Sequence, residues 1–246
     1  MCSRPSTDPS ARPFLIVQAG TTLPVLRPRH GDFPEWFRRG LGVARGAVTI
    51  LRVDTGARLP EPALFRGVVV TGSGAMVSDR LDWSEATAAW LRTAVDASVP
   101  VLGVCYGHQL LAHALGGRVD DHPDGREVGT VEIETLPAAA EDPLFAKAPA
   151  RFRAHATHSQ SVLELPPGAV VLARSAHDPY QAVRFARTAW GVQFHPEFSA
   201  GIMRVYLDKP GVANCTRPCC AGRRAAPAPF GPKLLARFGR LSQGAS

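Results

Sequence analysis

Long apolar runs are missing from this 246-residue chain: no stretch of 18 or more apolar residues occurs, which excludes a membrane-spanning helix read from sequence. The N-terminus carries Arg4 and Arg12 and then only a short apolar segment, Phe14 to Ala19. That segment is too short for a secretory core followed by a cleavage site and reads as a buried strand, so a cytoplasmic location is the default expectation. Lysine is nearly absent: Lys147, Lys209 and Lys233 are the only three among 28 basic residues. The net charge of +7 is therefore arginine scattered among Ala, Gly and Pro, not a concentrated phosphate-binding face, and nucleic acid is not an expected partner. Cysteine is scarce and odd in number, five in all, with Cys215, Cys219 and Cys220 crowded together. A disulfide scaffold is excluded by that count and size, and C-x3-C-C without a nearby histidine is no zinc spacing, so no metal is expected. Internal repeats are absent too.

What is present is an alternation of short apolar strands and amphipathic helices. Phe14–Gly20, Ala47–Val53, Leu64–Thr71 and Pro100–Val104 read as buried strands ended by turn residues. Phe33–Leu41, Trp83–Ala97 and Gly107–Leu115 read as helices, the second with Trp83, Ala86, Trp90, Leu91, Ala94 and Val95 on one face. The third is stopped by Gly116-Gly117. This order predicts an α/β fold with an open, mostly parallel sheet flanked by helices. In the second half, Val128–Leu136 alternates apolar and polar residues, and Val162–Leu172, Ala182–Phe185 and Ala189–Phe194 read as further strands, expected to add antiparallel pieces.

The expected organisation is a loose N-terminus over 1–13, one domain over 14–207, an irregular segment over 208–229 and a C-terminal helix over 230–246 packing on the domain. Lys209–Pro229 is rich in Cys, Arg, Ala and Pro without periodicity, and two compensating reading-frame changes or a divergent insertion would each produce such a stretch.

The chemistry is concentrated in Gly103-Val104-Cys105-Tyr106-Gly107-His108-Gln109. A strand ends, one residue occupies a sharp turn and a helix begins, which is the pattern of a nucleophile elbow. Cysteine there lies at the positive end of the following helix, which favours thiolate. From spacing alone a buried structural cysteine fits equally well. The balance shifts with Gln193-Phe194-His195-Pro196-Glu197, because a thiol nucleophile needs an imidazole base and the imidazole needs a carboxylate to fix its tautomer. Val70-Thr71-Gly72-Ser73-Gly74 adds backbone N–H groups after a strand, suited to a developing oxyanion. It makes a poor phosphate loop, since no lysine follows and the third glycine is missing.

With these motifs assembled, the chain resembles the class I, or triad, glutamine amidotransferases over roughly Phe14–Phe198, and among them stand-alone proteins similar to the glutaminase part of GMP synthase. The G-x-C-x-G-x-Q elbow and the Q-F-H-P-E strand end carry the resemblance, with no departure at Cys105, His195 or Glu197. It implies a flavodoxin-like fold and a glutaminase without cofactor, with Cys105 as nucleophile, His195 as its base and Glu197 orienting that base. It further implies an oxyanion hole from the backbone N–H groups of Ser73 and Tyr106, and substrate contacts from Gly72, Gln109, His158 and Ser159. His108 and His113 are expected to be structural or surface residues. Nothing within these 246 residues resembles a synthetase domain, so the resemblance leaves room for a separate ammonia-accepting chain. Two other roles stay open: a hydrolase of γ-glutamyl amides, and a catalytically silent regulatory relative.

Overall fold

A computed structural model describes residues 12–209 and 225–243, so the expectations for 1–11, most of 208–229 and the three cysteines near its centre lie outside the described residues. Strand β1 (Phe14–Gln18) is buried at every position and lies between β2 (Val48–Arg52) and β3 (Gly67–Val70), parallel to both. The apolar runs of β1 and β3 are buried throughout because helices cover both faces and leave no solvent side on which a polar residue would be tolerated, whereas the run at Ala47–Val53, expected to be buried, forms the edge strand β2 and is partly exposed. Strand β4 (Val101–Val104) continues the parallel sheet beside β3.

The helices are α1 (Arg27–His30), α2 (Phe33–Leu41), α3 (Asp82–Asp96), α4 (Tyr106–Ala114), α5 (Ala200–Leu207) and α6 (Phe230–Leu241). Asp32 caps α2 by accepting from the Phe33 N–H at 2.8 Å, and Gly42 closes it in the left-handed conformation at φ 71°. The buried side of α3 differs from the expected face: Ser84, Thr87, Ala88, Leu91 and Ala94 point inward, while Trp83 and Trp90 are half-buried and Ala86 is exposed. Small residues let α3 pack close to α4, and the Ser84 and Tyr106 hydroxyls hydrogen-bond across that interface at 2.6 Å. Large aromatic residues at the rim confused the periodicity. Helix α6 packs on α2, so tightly that a Cβ on Gly40 would overlap the Leu235 side chain.

The remaining strands are β5 (Arg118–Asp121), β6 (Glu127–Thr135), β7 (Arg151–His158), β8 (Gln160–Glu164), β9 (Val170–Arg174), β10 (Ala182–Ala186) and β11 (Ala189–Val192). The main sheet runs β2-β1-β3-β4-β11-β10-β9-β6-β7, and β5 pairs with β8 in a separate two-stranded sheet. Two expectations are corrected here. Val162–Leu172 is not one strand but parts of β8 and β9, divided by a turn at Pro166-Pro167-Gly168, where proline removes the ladder donors. Ala189–Phe194 is not an antiparallel addition throughout: β11 lies parallel to β4 and antiparallel to β10, and so joins the two halves of the sheet. Among the described residues no helix is long and apolar enough to cross a membrane.

Candidate active site

Cys105 lies between the end of β4 and the start of α4, with φ 52° and ψ −104°. A non-glycine residue at positive φ is strained by contact of Cβ with the backbone, at a cost of about 1–3 kcal/mol, and persists only where its surroundings enforce it. Here the enforcement is visible. The Cys105 N–H donates to the Val192 carbonyl at 2.8 Å, and its own carbonyl accepts from the Gln109 N–H at 3.1 Å. The flanking glycines have no room for a side chain: a Cβ on Gly103 would overlap the Gly107 carbonyl, and one on Gly107 would overlap the Val70 carbonyl. The pattern G-x-C-x-G is thus a steric requirement for bringing strand, turn and helix this close.

Strand β11, next to β4, delivers His195 to the thiol three residues past its end. Backbone pairing of the His195 N–H to the His155 carbonyl at 2.7 Å fixes the chain there, and the ring is stacked against Phe198 at 4.1 Å between centroids. Nδ1 of His195 bonds Glu197 Oε1 at 2.7 Å, with both side chains almost wholly buried. Nε2 is buried with no nitrogen or oxygen partner among the described residues, and is the nitrogen left to the Cys105 thiol. Burial disfavours the charged imidazole, but the Glu197 carboxylate and the Cys105 thiolate outweigh it and push His195 up to about 10. Burial likewise raises the Cys105 thiol, and His195 beside it, with a smaller contribution from His158, reverses this and brings the thiol below its ordinary range. The arrangement therefore favours a thiolate–imidazolium pair.

The loop after β3 closes a third side. A Cβ on Gly72 would lie 3.0 Å from His195 Cε1 and 3.9 Å from the Cys105 Cβ, so a side chain there would press on the imidazole. Ser73 and Tyr106 line the cavity over the thiol, and Tyr106 opens α4, where backbone N–H groups have no intrahelical acceptor. This cavity, about 210 Å³, is lined also by Gln109, Arg126, Thr157, Ser159, Tyr206 and Lys209, and by His158. Among the described residues no aspartate or glutamate lines it, and the cationic Arg126 and Lys209 suit a ligand bearing a carboxylate.

The structure thus brings together every residue singled out for the site, though not all with free side chains. The Gln109 amide nitrogen is committed inside the protein, donating to the Gln160 carbonyl at 2.6 Å and to Gln193 Oε1 at 3.0 Å. His158 is committed at both ring nitrogens, to Glu127 Oε2 at 2.9 Å and the Gln160 carbonyl at 3.0 Å. Both residues therefore shape the pocket from within. His108 is fully buried against Gly191 and Phe185, and burial pulls it down to about 3, so it is neutral core. His113 pairs with Glu85 at 3.0 Å near the surface. Sequence reasoning missed Arg126, Glu127, Phe198 and Gln160. Only Phe198 had a local signal, as the next residue after the His195-Pro196-Glu197 motif.

A mixed sheet with a strained cysteine elbow and a buried His–Glu pair at the C-terminal edge of its parallel half defines the class I glutamine amidotransferase architecture. The model of that family, glutamine amidotransferase class-I, matches residues 30–209, and the chain belongs to it. Glutamine-hydrolyzing GMP synthase of Aeropyrum pernix is 40% identical over 187 residues, covering 73% of this chain and 34% of that protein. The corresponding enzyme of Thermomicrobium roseum is 41% identical over 132 residues, covering 54% of this chain and 23% of that protein. In Pyrococcus abyssi, one subunit of glutamine-hydrolyzing GMP synthase is 44% identical over 101 residues, covering 41% of this chain and 52% of its own length. The chain therefore matches only a quarter to about half of the length of these curated relatives. Among solved structures, a glutamine amidotransferase from Methylobacillus flagellatus superposes with a TM-score of 0.70 at 28% identity, covering 94% of this chain and 91% of that one. Another from Thermotoga maritima, TM-score 0.71 at 19% identity over 95% of this chain and 99% of that one, attests the shared flavodoxin-like fold alone.

Proposed function

We propose that this protein hydrolyses the side-chain amide of glutamine through a cysteinyl thioester, releasing glutamate and ammonia. The observation that carries this reading is the strained Cys105 elbow held beside the buried His195–Glu197 pair. The Cys105 thiolate attacks the amide carbon, forming the C–S bond and placing negative charge on the carbonyl oxygen. Backbone N–H groups of Ser73 and Tyr106 stabilise that charge as it develops, a contribution of about 3 kcal/mol per well-placed donor. The His195 imidazolium gives its proton to the departing nitrogen, the C–N bond breaks and ammonia leaves a γ-glutamyl thioester. The now neutral His195 takes a proton from water, the resulting hydroxide attacks the thioester, and glutamate departs as the thiolate is restored. Glu197 keeps Nδ1 protonated throughout, so that Nε2 performs both transfers. Gly72, Ser159 and the inner wall formed by Gln109 and His158 shape the glutamine site.

Relatives whose names describe one subunit of a GMP synthase make a separate synthetase chain the fitting recipient of the ammonia. Purified protein assayed for ammonia release from glutamine, beside a panel of γ-glutamyl amides and with Cys105→Ala as control, tests the reading. Release from glutamine that Cys105→Ala abolishes is the expected result. Preferential cleavage of a substituted amide shifts the substrate class, and no release from any amide by folded protein overturns the enzyme reading.

A further inference from the structure

Behind the cavity wall lies a second buried histidine–carboxylate pair that the hydrolytic steps leave unused. His158 ends β7 and Glu127 begins β6, and their side chains are 1% and 6% exposed. Glu127 accepts from His158 Nε2 at 2.9 Å, from Gln181 Nε2 at 2.6 Å and from the Ser175 hydroxyl at 2.9 Å, so the carboxylate is fully engaged by donors. His158 Nδ1 lies 3.0 Å from the Gln160 carbonyl, which can only accept, and 3.3 Å from the Ser161 hydroxyl, which can accept as well; the shorter contact, to the carbonyl, places a proton on that nitrogen. With a carboxylate on one nitrogen and a carbonyl on the other, both nitrogens donate and the ring is an imidazolium. It has no lone pair left to accept a proton and so cannot act as a base.

This fixed charge is tied to the nucleophile's own elements. The Gln160 carbonyl that accepts from His158 also accepts from the Gln109 amide on α4, the helix that starts after Cys105. Thr157, the neighbour of His158, presents its carbonyl 3.9 Å from the Cys105 sulfur.

Resting on the reading of Cys105 as a nucleophile, we propose that His158 and Glu127 are positioning residues: an imidazolium, kept charged by its carboxylate, that stabilises the Cys105 thiolate before substrate arrives. His195 supplies a charge that is spent when it protonates the leaving ammonia, whereas His158 keeps its charge through the cycle. The groups acting on His158 are Glu127, Asp178 and Cys105, which favour its charge, and the neighbouring His177, whose ring lies 6.4 Å away between centroids. His108 is close enough that His158 disfavours its protonation, and it stays neutral. On Cys105, burial opposes the thiolate most, Glu197 opposes it less and the Thr157 carbonyl accepts from the thiol, while His195 and, to a smaller extent, His158 outweigh them.

The test is the pH dependence of iodoacetamide alkylation of the full chain, read at the Cys105 peptide by mass spectrometry without substrate. Glu127→Gln removes the charge that keeps His158 cationic. It is expected to raise the alkylation midpoint by about one pH unit and slow alkylation below that midpoint about tenfold, while Glu127→Asp stays near wild type. An unchanged midpoint in folded Glu127→Gln overturns the proposal. If that variant does not fold, ¹⁵N spectra of wild-type imidazoles decide: His158 protonated at both nitrogens at pH 8 supports it, and a neutral His158 overturns it. A wild-type midpoint in the ordinary thiol range would instead sink the nucleophile reading itself, so the two failures are separable.

Discussion

Two histidine–glutamate pairs are buried around one cysteine, and they are built in opposite ways. His195 and Glu197 are two residues apart, at the end of a strand in the parallel half of the sheet, and the pair leaves Nε2 open. His158 and Glu127 come from adjacent antiparallel strands and leave neither nitrogen open. An open nitrogen can take and return a proton, while a closed ring can offer only charge. The contrast teaches that a buried His–carboxylate pair is not by itself a sign of general acid–base chemistry. What distinguishes the two is whether the second nitrogen is already satisfied by the protein.

Substitutions can break that comparison from its stronger side first. His195→Asn is expected to lower kcat/KM for glutamine by about 10⁴-fold, because both proton transfers lose their agent, whereas Glu197→Gln should cost about 10²-fold. The pH profile sharpens the second expectation. The proposed mechanism needs thiolate and imidazolium together, so the profile should fall on the acid side as Cys105 is protonated and on the alkaline side near pH 10 as His195 loses its proton. In Glu197→Gln the alkaline limb should move to lower pH, since the carboxylate that raises His195 is gone; a limb that stays in place contradicts its role.

The closed pair should show itself in stability. Glu127→Ala takes away the carboxylate of a buried imidazolium, which must then give up its proton or stay unpaired, and is expected to cost about 3–5 kcal/mol by denaturant unfolding. Burial raises Glu127, but His158 outweighs it and holds the carboxyl below its usual 4.5, so this stabilisation is present above 4.5 and is lost as pH falls through the folded-state value. His158 is held above its usual 6.5 by Glu127 against burial, so its contribution is full below 6.5 and is lost as pH rises through its own folded-state value. The wild-type minus Glu127→Ala difference should therefore be greatest between pH 4.5 and 6.5. Smaller in chemistry but informative about the elbow, Gly103→Ala should destabilise the fold by about 1–3 kcal/mol, since the methyl meets backbone that cannot give way easily.

Legibility in the sequence followed the same division. The elbow, the Gly72 turn and the His195–Glu197 pair are local patterns, and the strands feeding them are unbroken apolar runs, so both the parallel half and the triad candidates could be read. The antiparallel half could not be read as fully. Strand β7 buries His155 and His158 beside a short apolar stripe of Phe152, Ala154 and Ala156, so polar residues in its buried set blur the alternation. Glu127 reads as a surface residue until its partner arrives from 31 positions away. Long-range pairing leaves no period in the sequence, and the Pro166-Pro167-Gly168 turn is masked by apolar residues on both flanks.

The central claim is that Cys105 carries the glutamyl group. Acid quenching of the protein during turnover of glutamine, followed by mass spectrometry of the Cys105 peptide, tests it most directly. The account predicts one γ-glutamyl adduct on Cys105 that disappears as glutamine is exhausted and is absent from Cys105→Ala. Ammonia released at the wild-type rate by Cys105→Ala, with no adduct on any peptide, would contradict it.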